Sequence, residues 1–325
     1  MNILVTLPVE ARHKALLESA CEGCFTYCPA KDLTQSQVHG ADIIIGNVKP
    51  DMIRGTEKLK WLQLNSAGTD GYTAPGVLPA GCLLTNATGA YGLAISEHMM
   101  AMLLFLMKKI NLYSADQKDH SWSDHGQVRS VYGSRTLVVG FGDIGSCFAR
   151  RMHDMGSTVT GIRRSKTEKP DYLEGLYQMD SLKEELGKAD IVAACLPGTP
   201  ETKGLFDEAA FAAMKPGAWF INVGRGNAVN QDALLAALQS GHLAGAAVDV
   251  TDPEPLPKDH PLWDAPNLLI TPHISGQFHL QETFERIIRI AAENLTRFVS
   301  GELLKNQVDF ATGYRRLDET VSPDR

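Results

Sequence analysis

The stretch Thr136-Leu-Val-Val-Gly-Phe-Gly-Asp-Ile-Gly-Ser-Cys-Phe-Ala-Arg-Arg-Met152 decides the fold. An apolar run, Thr136 to Val139, enters a turn with glycines at 140, 142 and 145, and Cys147 to Met152 leaves it as a helix. Strand, Gly-rich turn and helix in that order mark a dinucleotide-binding unit. Gly140 permits the tight turn, Gly142 lets the backbone approach a pyrophosphate, and Gly145 lets the helix pack on the strand. The amides at the helix start, at Asp143, Ile144 and Gly145, then bind the anion.

Cofactor choice is set at the end of the second strand, about 20 residues beyond the first glycine, where NAD enzymes place a carboxylate against the ribose 2′-hydroxyl. Here that position reads Gly161-Ile162-Arg163-Arg164-Ser165. Two guanidinium groups and a hydroxyl favour a 2′-phosphate, because arginine pairs bidentately with phosphate. NADP is therefore expected over NAD, with NAD still possible if the arginines are only a solvated strand end.

Around this unit the alternation of short apolar runs and helix-compatible stretches continues. Runs at Thr158 to Ile162, Ile191 to Leu196, Trp219 to Val223, Ala246 to Val250 and Leu268 to Ile270 join Thr136 to Val139 in an expected six-stranded, doubly wound sheet. A separate set precedes it, at Ile3 to Leu7, Asp42 to Gly46, Trp61 to Leu64 and Cys82 to Thr85. One crossing helix is expected from Leu93 to Tyr113, followed by a long polar connection, Ser114 to Ser130, with Trp122 inside it. A late helix, Glu282 to Val299, has the apolar spacing of Phe284, Ile287, Ile288, Ala291, Leu295 and Phe298. It is expected to return to the first domain, leaving only the charged tail after Gly313 mobile.

At 325 residues the chain is long for one core, since domains usually hold about 100 to 150 residues, so two domains are expected. Its 31 basic against 38 acidic residues, with no basic block, argue against nucleic acid and anionic membrane as partners. Met1-Asn2-Ile3-Leu4-Val5 reads as a strand rather than a signal peptide, and the apolar stretch Met99 to Met107 is too short to span a bilayer. Cys21, Cys24 and Cys28 lie close together, but no second Cys/His pair follows at zinc spacing. No metal is expected, and free thiols suit a cytoplasmic protein.

Three further segments carry chemistry: Ile221-Asn-Val-Gly-Arg-Gly226, Val248-Asp-Val-Thr-Asp-Pro-Glu-Pro-Leu-Pro257 and Thr271-Pro-His-Ile-Ser-Gly276. Together with Ser66-Ala67-Gly68, Asn86 to His98 and Leu196-Pro-Gly-Thr-Pro-Glu-Thr-Lys203, they resemble the D-isomer-specific 2-hydroxyacid dehydrogenase family over nearly the whole chain. The resemblance implies an α/β protein of two domains, a doubly wound Rossmann cofactor domain (93–286) and a flavodoxin-like substrate domain made of 1–92 and 287–325. It also implies a homodimer, and cofactor contacts from Leu196, Pro197, Thr202 and Val223. Asp249 is implied to meet the nicotinamide carboxamide, its alternative being a strand-end cap or turn residue.

Reducing a 2-keto acid needs hydride at the carbonyl carbon, a proton for its oxygen and a cation for the carboxylate. His273 is the natural acid/base, because histidine titrates near neutral pH. Glu254 would pair with its other ring nitrogen and favour the imidazolium. Arg225 offers a planar fork to the carboxylate and polarises the carbonyl. Backbone amides of Ala67, Gly68 and Thr69 are expected to form an anion concavity for the substrate. The loop Gly46-Asn-Val-Lys-Pro50 carries one cation, and the chain ends without an appended regulatory domain. A small unphosphorylated acid such as glyoxylate or hydroxypyruvate is thus favoured, with D-3-phosphoglycerate oxidation the alternative and a nucleotide-sensing corepressor module a further one.

Overall fold

The computed structural model describes residues 1–165 and 167–316. They divide into two compact units, Met1–Tyr91 with Phe278–Arg325, and Gly92–Gln277.

The first unit begins with β1 (Asn2–Val5), α1 (Ala11–Ala20), β2 (Cys24–Tyr27), α2 (Gln35–Gly40), β3 (Ile43–Ile45), α3 (Pro50–Ile53), β4 (Trp61–Gln63) and β5 (Leu83–Thr85). All five strands run parallel in the order β2-β1-β3-β4-β5, the flavodoxin-like order. Ile43, Ile44 and Ile45 are all fully buried, because a parallel strand covered on both faces reads as a continuous apolar run rather than an alternating one. The exposed β2, Cys-Phe-Thr-Tyr, lacks such a run and escaped the sequence reading.

The second unit opens with α4 (Gly92–Met107) and α5 (Ile110–Lys118), where the sequence suggested one crossing helix. The break falls at Lys109, which takes a left-handed conformation (φ 58°) as α5 starts. The connection expected from Ser114 thus begins inside a helix. Next come β6 (Arg135–Val139), α6 (Asp143–Asp154), β7 (Thr158–Ile162), β8 (Gly175–Tyr177), α7 (Leu182–Leu186), β9 (Ile191–Ala194), α8 (Glu208–Ala213), β10 (Ala218–Asn222), α9 (Gln231–Gln239), β11 (Leu243–Val248) and β12 (Leu268–Ile270).

These seven strands form one parallel sheet, β12-β11-β10-β9-β6-β7-β8, the doubly wound Rossmann arrangement with its switch point between β6 and β9. The expected sheet had six strands; β8, a three-residue Gly-Leu-Tyr edge, is too short to signal itself. Phe206, Phe211 and Phe220 fill the core beside β10, with ring centroids 4.9 to 6.3 Å apart.

The chain then re-enters the first unit through α10 (Gln281–Val299), which packs on α1. The expected boundary at 286/287 would cut this helix, whose buried face runs from Thr283 to Leu295, and the division lies before it instead. Asn294, fully buried, donates to Gln63 Oε1 at 2.8 Å, and Phe298 stacks on Trp61 at 5.5 Å. Finally β13 (Val308–Asp309) pairs antiparallel with β14 (Tyr314–Arg315), so the tail after Gly313 begins as a strand. Residues 317–325 of that tail lie outside the described residues. Among the described residues no helix is long and apolar enough to cross a membrane.

Candidate active site

Every loop singled out in the second unit leaves the carboxyl end of a neighbouring strand. The phosphate turn follows β6, Leu196 follows β9, Arg225 follows β10, Glu254 follows β11 and His273 follows β12. Open parallel sheets bind ligands at that end.

The turn after β6 is shaped by missing side chains. A Cβ on Gly140 (φ 98°) would lie 2.5 Å from the Cys195 carbonyl oxygen, and one on Gly145 would lie 2.3 Å from the Gly140 carbonyl oxygen. Gly142, the N-cap of α6, faces open space instead, with nothing within 4 Å of its would-be Cβ. Among the described residues the amides of Ile144 and Gly145 have no protein acceptor, as first-turn helix amides must unless a ligand or cap takes them. A Gly-lined opening in front of free amides fits a dinucleotide phosphate. Desolvation pushes the nearby Cys195 thiol up to about 12, so it stays protonated and packs as a small apolar group.

Arg163 and Arg164 follow β7 directly, Arg163 half-buried and Arg164 exposed. The Arg163 amide donates to Tyr177 O at 2.9 Å, which fixes where that chain leaves the sheet. A hydroxyl contact from Thr199, with Arg164's charge adding to it, holds the Glu201 carboxyl below its ordinary range. In the loop that begins at Leu196 the Thr202 hydroxyl donates to Pro197 O at 2.5 Å and accepts from the Thr199 amide at 2.9 Å, closing the turn on itself. Leu196 and Val223 are buried beneath it.

Arg225 sits in a turn pinned by Asn222, whose side chain accepts from Gly224 N at 3.0 Å and donates to Arg225 O at 3.1 Å. Its guanidinium donates to Gly224 O at 2.9 Å. A Cβ on Gly226 would lie 2.0 Å from the Thr251 carbonyl, so this turn is pressed against the segment leading to Glu254. Glu254 Oε1 accepts from Thr251 N at 3.1 Å, and its Oε2 meets His273 Nδ1 at 2.8 Å. The pair is partly exposed, at 38% and 46% for the two side chains, which leaves the other imidazole nitrogen reachable by a ligand. Thus Glu254 and His273 are in direct contact, and the turn that carries Arg225 lies against the Thr251 segment that leads to Glu254.

Asp249, expected to meet the nicotinamide carboxamide or else to serve as a strand-end cap or turn residue, is bonded to the loop after β12. It is 1% exposed, and its two oxygens accept from Thr271 Oγ1 (2.5 Å), Ile274 N (3.0 Å), Ser275 N (3.1 Å) and Ser275 Oγ. These bonds are the ones that the turn-residue alternative describes. Thr271, Ser275 and His98 were not assigned roles from sequence, since nothing in the local pattern says that a buried acid lies under the loop.

In the first unit, the Ala67-Gly68-Thr69 turn has its carbonyls and amides sorted. Ser66 O accepts from Ala87 N (2.9 Å), Ala67 O from Asn86 Nδ2 (2.7 Å), Gly68 O from Ser66 Oγ (2.7 Å) and Thr69 O from Tyr72 N (3.0 Å). The amides of Ala67, Gly68 and Thr69 have no protein acceptor among the described residues. Thr69 Oγ1 donates to Gly313 O at 2.5 Å, so the β13–β14 hairpin steadies the turn. Successive free amides with every carbonyl turned away make an anion-binding concavity. Lys49 is exposed nearby in sequence, while Asn47 of the same loop is spent on Asn65.

Among the described residues no group of three or more His, Cys, Asp or Glu is placed to hold a metal, and the six cysteines are free.

Residues 100–275 match the family model for the NAD binding domain of D-isomer specific 2-hydroxyacid dehydrogenases. A crystal structure of a D-isomer specific 2-hydroxyacid dehydrogenase family protein from Aeromonas salmonicida is 34% identical, covering 95% of this chain and 99% of that one with a TM-score of 0.83. The NADPH-dependent glyoxylate/hydroxypyruvate reductase of Sinorhizobium meliloti, solved with NADP and sulfate, is 28% identical with a TM-score of 0.81, covering 96% and 99% of the two chains. The D-3-phosphoglycerate dehydrogenase of Mycobacterium tuberculosis is 29% identical over 300 residues, 91% of this chain but 56% of that protein. The chain thus spans about half the length of that relative.

Proposed function

The chain belongs to the D-isomer specific 2-hydroxyacid dehydrogenase family, and from that premise we propose that it is an NADPH-dependent reductase of a small 2-keto acid of the glyoxylate or hydroxypyruvate type. The observation that carries the reading is the 2.8 Å pair of His273 Nδ1 and Glu254 Oε2 held against the Arg225 turn.

A bound nicotinamide would supply the hydride. Glu254 accepts from Nδ1 and so fixes the imidazole with Nε2 as the proton-donating atom, which delivers its proton to the carbonyl oxygen as charge develops there. In the oxidative direction Nε2 takes the alcohol proton back. Arg225 stabilises the developing oxyanion and clamps the carboxylate with its planar fork. In the first unit, Ala67, Gly68 and Thr69 offer three successive amides suited to a carboxylate. Ile144 and Gly145 take the pyrophosphate, and Arg163, Arg164 and Ser165 take the 2′-phosphate, at a strand end that carries arginines where NAD enzymes carry a carboxylate.

D-3-phosphoglycerate remains the second reading, because the mycobacterial relative bears that name. The solitary Lys49, close to an Asn47 engaged by Asn65, makes the loop a poor phosphate site and favours the unphosphorylated acid. A homodimer is part of the same proposal. Trp122 is fully exposed and Tyr132 is 81% exposed on a segment with little secondary structure, an arrangement suited to burial against a second copy.

NADPH and NADH oxidation with a panel of 2-keto acids, run beside phosphoglycerate oxidation, tests the whole reading. We expect the highest kcat/KM with NADPH and glyoxylate or hydroxypyruvate. Preference for NADH would overturn the cofactor assignment, and turnover of phosphoglycerate alone would overturn the substrate.

A further inference from the structure

His273 occupies the left-handed backbone region, uncommon for residues other than glycine, with φ of 49°. The loop around it is bonded to Asp249, which is 1% exposed. The Asp249 carbonyl accepts from the His273 amide at 2.7 Å, while the Asp249 carboxylate gathers the Thr271 hydroxyl on one side and the Ile274 and Ser275 amides on the other. One residue thus bonds to the loop before, at and after His273.

The network continues outward to α4. Thr271 Oγ1 donates its single proton to Asp249 Oδ1 at 2.5 Å, so the 3.1 Å contact between Thr271 Oγ1 and His98 Nε2 has His98 as donor. His98 Nε2 also lies 3.9 Å from Asp249 Oδ1. Met102, one turn further along α4, places its sulfur 3.7 Å from the same hydroxyl.

We propose that Asp249, Thr271 and His98 are positioning residues, a brace centred on the buried Asp249 that holds His273 in its left-handed conformation and aims its imidazole for proton transfer. None of them touches the reacting atoms. A charged carboxylate is well suited to the task because bonds from amides and hydroxyls to an ionised acceptor are roughly twice as strong as neutral ones. Proton transfer is also sensitive to aim, since a displacement of about 1 Å costs on the order of 100-fold in rate. The catalytic meaning of the brace rests on the proposed role of His273, whereas its existence as a backbone clamp does not.

The test uses Thr271→Val, which removes the hydroxyl, with Thr271→Ser as the conservative rescue and His98→Phe as a milder second break. Turnover with NADPH and glyoxylate, the NADPH dissociation constant and hydrogen exchange at the Ile274 and Ser275 amides are read on each. We expect Thr271→Val to lose about 100-fold in kcat, to keep its NADPH affinity and to exchange faster at both amides. His98→Phe should change the same quantities less, and Thr271→Ser should restore them. Wild-type kcat with unchanged exchange in Thr271→Val would overturn the proposal, as would lost NADPH affinity with kcat intact, which would return Asp249 to the cofactor. If Thr271→Val does not fold, wild-type kcat and exchange in His98→Phe overturn it equally. Should the wild type reduce no 2-keto acid, the functional reading falls, and the exchange rates alone decide whether the brace exists.

Discussion

The phosphate turn at Gly140–Gly145 and the loop at Thr271–Ser275 end strands of the same parallel sheet, yet they are built by opposite means. The turn is made by absence: a Cβ at Gly140 or Gly145 would strike backbone carbonyls at 2.5 and 2.3 Å. The loop is made by presence, its strained histidine held by a buried carboxylate and the hydroxyls and amides around it. A site that needs only an anion cradle can be written in backbone. One that must aim a proton needs side chains under it.

The contrast can be sharpened at the loop first, where the largest effect is expected. Glu254→Gln keeps the shape beside His273 but exchanges an ionised acceptor for an amide. Turnover should fall by up to about 10⁴-fold, the cost of losing the carboxylate that orients a catalytic histidine elsewhere. NADPH affinity should stay unchanged, because Glu254 lies on the loop after β11 and the phosphate turn after β6. A parallel loss of cofactor affinity would show that the two regions are not separable.

The turn can be broken in two distinguishable ways, both smaller. In Gly145→Ala the methyl meets the Gly140 carbonyl at 2.3 Å and Val138 Cγ1 at 2.9 Å. Overpacking of that kind costs about 1–3 kcal/mol, so thermal denaturation should move down and NADPH binding with it. Gly142→Ala should differ, since its methyl enters open space and its φ of −107° is ordinary for alanine. That variant should melt as wild type does while binding NADPH more weakly. A normal affinity in Gly142→Ala would mean that no phosphate approaches the turn there.

How much of this was readable in the sequence follows the same division. Glycines at positions 140, 142 and 145 between an apolar run and a helix announce the turn, because glycine at fixed offsets is itself the structural device. Arg225, Glu254 and His273 were also legible as residue types suited to the chemistry, within segments that resemble a known family. The brace was not. His98 and Thr271 are separated by more than 170 residues, and only the sheet order brings α4 beside the end of β12. The loop bonds of Asp249 were hidden for the same reason: a strand-end acid looks alike in sequence whether it faces a ligand or the loop next to it. Edge strands β2 and β8 escaped because three or four half-exposed residues carry no periodic signal. Lys109, in its left-handed conformation, interrupts what the apolar spacing presented as one helix.

The central claim is that His273 moves the proton while a separate turn holds the cofactor. Its most direct test is NADPH oxidation with glyoxylate by wild type and His273→Ala side by side, with the NADPH dissociation constant titrated on both. The account predicts that turnover falls by about 10²- to 10⁴-fold, the usual contribution of a positioned acid, while the dissociation constant does not move. Turnover that survives the substitution would contradict it.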